Sequence, residues 1–197
     1  MSDPDFTTAY RGPEIPTRLG EQLQLALGLD DRPAVFGDWV EALAAIADRD
    51  DIEMGPSTLC TVDDSPHKAT FNGQVQYYQC VQDPIILPFL AEDIDTVEIE
   101  TESPVSGDPI ELTVTDTEIT AEPDSVVMSF GVAEDVEGPP DDLPSPILAY
   151  SRFCPYGHPF PSRDEYDSWA AEVDAVTMAT SMEDTFELAR ALGRIAQ

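Results

Sequence analysis

The chain contains the stretch Lys68-Ala-Thr-Phe-Asn-Gly-Gln-Val-Gln-Tyr-Tyr78 near its middle. An Asn-Gly pair between two such runs is typical of a two-residue hairpin turn, because both turn residues adopt positive φ easily. We therefore predict a β-hairpin over residues 59–79. Further on, apolar and polar residues alternate in segments that predict strands of an antiparallel meander. These segments are Thr96–Thr101, Ile110–Val114 and Val126–Phe130.

Helical spacing of apolar residues appears on both sides of these strands. The predicted helices are Thr17–Leu29 ending at Gly28 or soon after, Asp38–Ala47 with Asp38 as N-cap, Pro84–Leu90, a helix opened by Ser162 and carrying Trp169, and Met182–Ile195. Two more strands are predicted at Ile147–Phe153, which would deliver Cys154, and at Val173–Met178. Together these elements predict an α+β fold, in which an antiparallel β-sheet core is flanked by helices and preceded by a small helical unit. We expect residues 1–58 to form an N-terminal lead-in and that helical unit, and residues 59–197 to form the main domain.

The charge balance is extreme, with 40 Asp and Glu against 9 Lys and Arg and a formal net charge of −31. Hydrophobic residues still make up 42% of the chain, enough to build a core, so the acidity does not predict disorder. The acidic residues are spread over the whole length, which favours a surface adapted to high salt; a cationic partner is the alternative. No basic stripe is present to neutralise phosphates, so nucleic acid is not an expected partner.

The chain has three cysteines, Cys60, Cys80 and Cys154. This number is low and odd, so the cysteines do not indicate a disulfide framework. They fit free thiols in a reducing compartment. The N-terminal residues lack the pattern of a signal peptide, and the longest apolar run, residues 84–91, is too short to span a bilayer. We therefore expect a cytoplasmic protein that does not bind a membrane.

Cys80 lies three residues before Asp83, and Pro84 follows directly. Because proline is favoured at the first helical position, we predict Asp83 as the N-cap of the following helix, with Cys80 just before the helix start. A thiol there can be activated, but a capping Asp and a buried Cys need no catalytic role. Cys154 can also be a buried structural residue, because cysteine often packs as a small apolar side chain. Cys154 and His158 could supply two ligands of a zinc site, but the sequence shows no second pair of ligands for it. We therefore expect His158 to be a structural residue.

Several motifs in this order resemble the organomercurial (alkylmercury) lyase family. They are Ser65-Pro66-His67 leading to Phe71 and Gly73, Tyr78-Gln-Cys-Val-Gln-Asp83, the Gly107–Val114 segment, and Phe153-Cys-Pro-Tyr-Gly-His-Pro-Phe160. The resemblance covers about residue 59 to the end of the chain. It departs at Ser103, near where many members carry a third cysteine that is usually regarded as structural. Cys60 matches no family role, and we expect it to be buried and structural.

The resemblance implies that residues 59–197 are an alkylmercury lyase-like catalytic domain. It implies that Cys80 and Cys154 bind mercury as thiolates and that Asp83 protonates the leaving carbon, giving a hydrocarbon and Hg²⁺. The implied partners are an organomercurial substrate and, as acceptor of the ion, a low-molecular-weight thiol or a mercuric reductase. No organic cofactor is implied. Cys80 and Cys154 should then converge in space although 74 positions separate them.

Two other functions are open. One is a non-catalytic protein that binds or senses a soft metal, mercury or copper, on the same scaffold. The other is a small-molecule binding domain in which the cysteines are incidental. An acid at position 83 favours the enzyme, because a binder of soft metals needs only the thiols.

Overall fold

A computed structural model describes residues 10–49, 51, 55–139 and 152–196 of the protein. Two antiparallel sheets form its framework. The larger sheet has the strand order β1-β3-β2-β4-β5-β6, with β1 at Thr61–Val62, β2 at His67–Phe71, β3 at Gln74–Tyr78, β4 at Thr96–Glu102, β5 at Pro109–Thr115 and β6 at Ile119–Glu122. The smaller sheet has the order β8-β7-β9, with β7 at Val127–Ala133, β8 at Pro159–Phe160 and β9 at Ala175–Thr180.

The helices lie before, between and after these strands. They are α1 at Thr17–Leu27, α2 at Phe36–Arg49, α3 at Gln82–Leu90, α4 at Arg163–Ala170 and α5 at Met182–Gly193. Short 3-10 turns occur at Pro56–Thr58, Cys154–Tyr156 and Arg194–Ala196. The predicted α+β class, with an antiparallel core and a helical unit in front, is confirmed.

The predicted hairpin is present. β2 and β3 pair from Phe71 opposite Gln74 outward, and the turn residues Asn72 and Gly73 have φ values of 49° and 73°. Both values are positive, as the tight hairpin turn requires. The Asn72 side chain also donates a hydrogen bond of 2.9 Å to the Asp93 carbonyl, which ties the turn to the segment before β4.

Two hydrophobic clusters form the core, and α5 contributes to both. The inner face of the larger sheet packs with α3 and with Phe186 of α5. The second cluster joins α1 and α2 to β7, and its centre is aromatic: the ring of Phe130 lies 4.9 Å from Trp39 and 5.0 Å from Phe36 between centroids, in edge-to-face contact. Such pairs stabilise by about 0.5–1.5 kcal/mol beyond their buried area, so the helical unit is fastened to the smaller sheet.

The predicted continuation of the meander into Val126–Phe130 is wrong. β5 pairs instead with β6, a short polar strand that the sequence pattern did not indicate, and β7 pairs with β8 and β9 in the other sheet. The burial pattern gives the reason. β4 alternates buried and exposed residues and has one wet face, whereas β7 is buried from Met128 through Val132 and so has protein on both faces.

Two predicted helix starts are also wrong. α2 begins at Phe36, and the Asp38 carboxylate reaches back to accept hydrogen bonds from the backbone N–H groups of Ala34 (2.7 Å) and Val35 (3.1 Å). α3 begins at Gln82, so Asp83 lies in its first turn and is not the N-cap. Pro84 is compatible with this earlier start, because the first turn of a helix leaves its N–H groups without helical partners in any case.

Other predicted boundaries shift or hold. Gly28 ends α1 in the left-handed conformation, and Ser162 caps α4 by accepting a hydrogen bond from the Glu165 N–H. The strand predicted at Val173–Met178 is β9, two residues later. Of the strand predicted at Ile147–Phe153, residues 147–151 lie outside the described residues. Arg152 and Phe153 are not in a strand, and Cys154 begins a 3-10 turn.

Candidate functional site

Cys80 and Asp83 lie where the larger sheet passes into α3. β3 ends at Tyr78 and α3 begins at Gln82, so Cys80 occupies the connection, where it is 2% exposed. The Cys80 thiol lies near the Asp83 carboxyl and acts to lower its pKa. The adjacent start of α3 favours negative charge on groups at this position.

Cys154 is presented by a turn that the smaller sheet holds in place. Ser129 of β7 is fully buried, and its hydroxyl donates a hydrogen bond of 2.7 Å to the Tyr156 carbonyl. The same hydroxyl accepts from the His158 N–H at 2.9 Å, and the Ser129 N–H donates to the His158 carbonyl at 2.8 Å. Three hydrogen bonds to one residue thus fix the turn that begins at Cys154.

The same strand also holds the start of α3. The Gln82 side-chain amide donates a hydrogen bond of 3.0 Å to the Ser129 carbonyl. Gln82 is two residues from Cys80, and Ser129 anchors the Cys154 turn. Ser129 therefore joins the two cysteine-bearing segments, which come from different sheets.

The structure brings Cys80, Asp83 and Cys154 together. The Cys80 thiol lies close enough to both groups to raise the pKa of Cys154 and to lower that of Asp83. Cys154 is 7% exposed. Two sulfurs and a carboxyl from remote parts of the chain thus share one enclosed position.

Cys60 belongs to this group as well, which the sequence reasoning missed. Its sulfur lies 3.7 Å from the Cys154 sulfur, and its backbone N–H donates a hydrogen bond of 2.7 Å to Asp83 Oδ2. The Cys60 carbonyl accepts from the Gln79 N–H at 2.8 Å, just before β1 pairs with β3. Cys60 is partly exposed, so the expectation that it is buried is wrong. Its position depends on the β1–β3 pairing, and a two-residue strand leaves little pattern in the sequence.

Burial controls the protonation of these groups. It raises the pKa of Asp83 to about 6, although hydrogen bonds from the Cys60 N–H and from the Cys60 and Cys80 thiols act in the opposite direction. The pKa of the Cys154 thiol is raised, first by its hydrogen bonds with Cys60 and Cys80 and then by burial. Cys154 is thus a thiol at neutral pH, and a metal that binds it must displace its proton. The negative charge of Asp83 also contributes to the raised pKa of Cys154.

Two histidines flank the Cys154 turn without joining the thiols. His158 Nε2 is hydrogen-bonded to the Pro155 carbonyl at 2.9 Å, and its ring lies 5.9 Å from that of His67. His67 Nδ1 is 2.8 Å from the Thr101 hydroxyl. Burial lowers the pKa of His67 to about 4 and lowers that of His158, so both rings are neutral at pH 7.

Ser103, where the resemblance departs from the family pattern, has a defined structural position. It is 2% exposed, and its hydroxyl donates a hydrogen bond of 2.5 Å to Glu165 of α4. It also accepts from the backbone N–H groups of Val105 and Ser106. Ser103 therefore ties the β4–β5 turn to α4 at some distance along the chain from the thiols.

Within residues 10–49, 51, 55–139 and 152–196, no group of three or more His, Cys, Asp or Glu side chains is spaced to hold a resident metal ion. In the same ranges, no helix combines the length and apolar character needed to cross a bilayer.

Comparison with known proteins agrees with the motifs. A family model described as alkylmercury lyase, MerB, matches residues 60–193. The chain belongs to the alkylmercury lyase family. The match covers the hairpin, all three cysteines and Asp83, and it confirms the resemblance inferred from the motifs.

Two curated relatives are named alkylmercury lyase, one from Bacillus cereus and one from Clostridium butyricum. Each is 32% identical over 130 residues, which is 66% of this chain and 54% of the relative. The chain therefore spans about half the length of the curated relatives that it matches. A solved structure, described as the mercury-bound form of MerB2, matches with a TM-score of 0.52 and 17% identity, over 92% of this chain and 100% of that chain. This likeness shows a shared fold.

Proposed function

We propose that this protein is an organomercurial lyase, which cleaves the carbon–mercury bond of R–Hg⁺ by protonolysis and gives a hydrocarbon and Hg²⁺. The observation that carries the proposal is the meeting of Cys80, Cys154 and Asp83 at one enclosed position. Membership of the alkylmercury lyase family supports the same reaction.

Substrate capture uses the two buried thiols. Mercury is a soft ion and prefers thiolate to oxygen or nitrogen ligands. The Cys80 sulfur forms a bond to mercury, and its proton leaves with the displaced counter-ligand. Cys154 then adds as a second thiolate, and its proton passes to the nearby Asp83 carboxylate.

Bond cleavage follows from the electron density that two thiolates supply to mercury. The Hg–C bond weakens, and the carbon leaves with carbanion character. Asp83 then gives its proton to that carbon, so a C–H bond replaces the C–Hg bond and mercury stays divalent. A carboxyl with a pKa of about 6 suits this role, because a general acid works best when its pKa is near the working pH.

The product ion remains on the thiolates until another thiol removes it. We propose that a low-molecular-weight thiol or a mercuric reductase accepts it, and that the reaction takes place in a reducing cytoplasm. No organic cofactor takes part. We assign catalysis to residues 59–197 and treat residues 1–58 as a lead-in and helical unit, and we attribute the net charge of −31 to a high-salt environment.

The test is direct: purified protein is incubated with phenylmercury and excess thiol in molar salt, and benzene is measured. We expect stoichiometric benzene from the wild type and none from Cys80→Ser. Tight retention of phenylmercury by the wild type without any benzene would contradict the proposal and would favour the non-catalytic soft-metal binder.

A further inference from the structure

The proposed reaction uses two sulfurs, yet a third lies in contact with them. Cys60 is 3.7 Å from Cys154, sulfur to sulfur, and its backbone N–H donates a hydrogen bond of 2.7 Å to Asp83. We infer that Cys60 is the third thiolate ligand of the mercuric ion, so that Hg²⁺ is held by Cys60, Cys80 and Cys154 together. This inference rests on the proposed function only for the source of the ion.

The spacing of the Cys60 and Cys154 sulfurs suits two ligands of a three-coordinate ion better than a linear pair. With metal–thiolate bonds of about 2.3 Å, a linear S–Hg–S unit needs sulfurs about 4.6 Å apart. The 3.7 Å between Cys60 and Cys154 corresponds with the same bond length to an S–Hg–S angle of about 107°, which is bent well away from linear. A bent pair leaves a side of the ion open, and the buried Cys80 thiol lies near Cys154.

The backbone around Cys60 is fixed while its side chain has room. The Gln79 N–H donates a hydrogen bond to the Cys60 carbonyl, and the Cys60 N–H donates one to the Asp83 carboxylate. Cys60 is nevertheless the most exposed of the three cysteines, since Cys80 and Cys154 are buried. The described side chains do not already stand in the geometry of a resident metal site. The third bond therefore forms when the Cys60 side chain turns toward an ion that the buried pair already holds.

The proton balance of this step closes through Asp83. After protonolysis, the ion carries two thiolates and Asp83 is a carboxylate. The Cys60 S–H bond breaks, its proton passes to the Asp83 oxygen, and a Hg–S bond forms. Charge is conserved, because a neutral two-thiolate complex and a carboxylate become an anionic three-thiolate complex and a carboxylic acid. No electron is transferred, and neither sulfur nor mercury changes oxidation state.

The partial exposure of Cys60 means that the Cys60–mercury bond takes part in product release. Thiolates exchange on mercury one at a time, so an incoming thiol replaces the ligand that solvent reaches first. Cys60 is therefore the exchange position, and Cys80 and Cys154 retain the ion until an external thiol has taken the place of Cys60.

Mercuric ion itself is the probe. The wild type, Cys60→Ser and Cys60→Ala are reduced with a phosphine, freed of small thiols, and loaded with one equivalent of Hg²⁺ in sulfate buffer, which avoids chloride as a ligand. X-ray absorption at the mercury edge counts the sulfurs. We expect three in the wild type and two in both variants, with the thiolate-to-mercury absorption band moved to shorter wavelength in the variants. Unchanged circular dichroism shows that the variants are folded.

Alkylation with iodoacetamide gives an independent measurement. Mercury should slow the modification of Cys60 in the wild type at least tenfold relative to the metal-free protein. Two sulfurs on mercury in the wild type, with Cys60 alkylated as fast as without metal, would overturn the inference. Neither measurement uses an organomercurial. Three sulfurs without benzene would thus refute the lyase alone, and benzene with two sulfurs would refute the third ligand alone.

Discussion

The two halves of the site are built differently. Cys60, Cys80 and Asp83 belong to one continuous part of the larger sheet, where β1–β3 pairing and the start of α3 set their positions. Cys154 lies on a 3-10 turn outside any strand, and the buried Ser129 and the short β7–β8 pairing hold that turn to the smaller sheet. The first half is stabilised by regular secondary structure, and the second by a few hydrogen bonds to Ser129 and a two-residue strand. The position of Cys154 relative to Cys80 therefore depends largely on Ser129.

The largest expected effect comes from removing a sulfur of either half. Cys80→Ser and Cys154→Ser should each lower hydrocarbon release by at least about a thousandfold, because a hydroxyl is a hard, poorly ionised ligand for mercury. Benzene release from phenylmercury measures this. Equal losses in both variants would show that both halves supply a ligand, and substantial turnover in either would remove that cysteine from the reaction.

The acid of the first half comes next. Asp83→Asn should bind the organomercurial but release hydrocarbon about 10²–10⁴ times more slowly, since an amide has no acidic proton to give. Retained phenylmercury and released benzene are measured on the same sample. Full activity in this variant would remove Asp83 as the proton donor.

Ser129→Ala breaks the contact between the halves. The variant loses the hydroxyl bonds to Tyr156 and His158, and the freed turn misplaces Cys154. A shift of about 1 Å costs on the order of 10²-fold in rate, so we expect kcat to fall by 10- to 100-fold. Ser125→Ala is the matched control, because it removes a serine bond of 2.6 Å to the Pro161 carbonyl outside the site. Equal rates in the two variants would contradict the role of Ser129.

The buried carboxyl of the first half also predicts a pH-dependent stability. The pKa of Asp83 is about 6 in the folded protein against an ordinary value of about 3.8. The folded state therefore binds the proton more tightly, and ionisation destabilises it by at most roughly 3 kcal/mol as the pH rises from about 4 to above 6.

Asp83→Asn removes this cost. The free energy of unfolding of the variant, relative to that of the wild type, should therefore increase across that pH range and stay constant above it. Urea unfolding at several pH values measures the difference. His67 ionises in the same range with the opposite sign, since its pKa is lowered to about 4, but it is present in both proteins and cancels. A difference that is constant with pH would contradict the assigned ionisation.

The smallest effect concerns the outer faces of the two sheets. On the larger sheet, Glu100, Glu111 and Glu122 lie directly opposite one another across three strands, and Lys68 pairs with Glu100 at 2.6 Å. β7 of the smaller sheet has no such wet face. Like charges in direct opposition destabilise a sheet, so Glu111→Lys should stabilise the protein by about 1 kcal/mol at 0.01 M salt.

This gain should shrink toward 1 M salt, because the Debye length falls from about 30 Å to about 3 Å. The wild-type melting temperature should rise over the same range. Glu111→Gln removes the repulsion from Glu100 and Glu122 without adding the attraction that a lysine would bring, so it separates the two contributions. A wild-type melting temperature that does not change with salt would contradict the high-salt interpretation of the acidity.

The sequence alone determined the hairpin, the strands β4 and β5, the capped start of α4, and the identity of Cys80, Asp83 and Cys154 as the residues to examine. These follow from local signals: turn residues with positive φ, alternation, capping side chains and a short motif. The sequence did not determine that β7 lies in the smaller sheet, that α3 begins before Asp83, or that Cys60 lies beside Cys154. Only tertiary structure decided those points, because each depends on which surfaces bury one another. Ser129 shows the physical reason most clearly, since a serine in a strand has no distinctive pattern until two distant segments lie on either side of it.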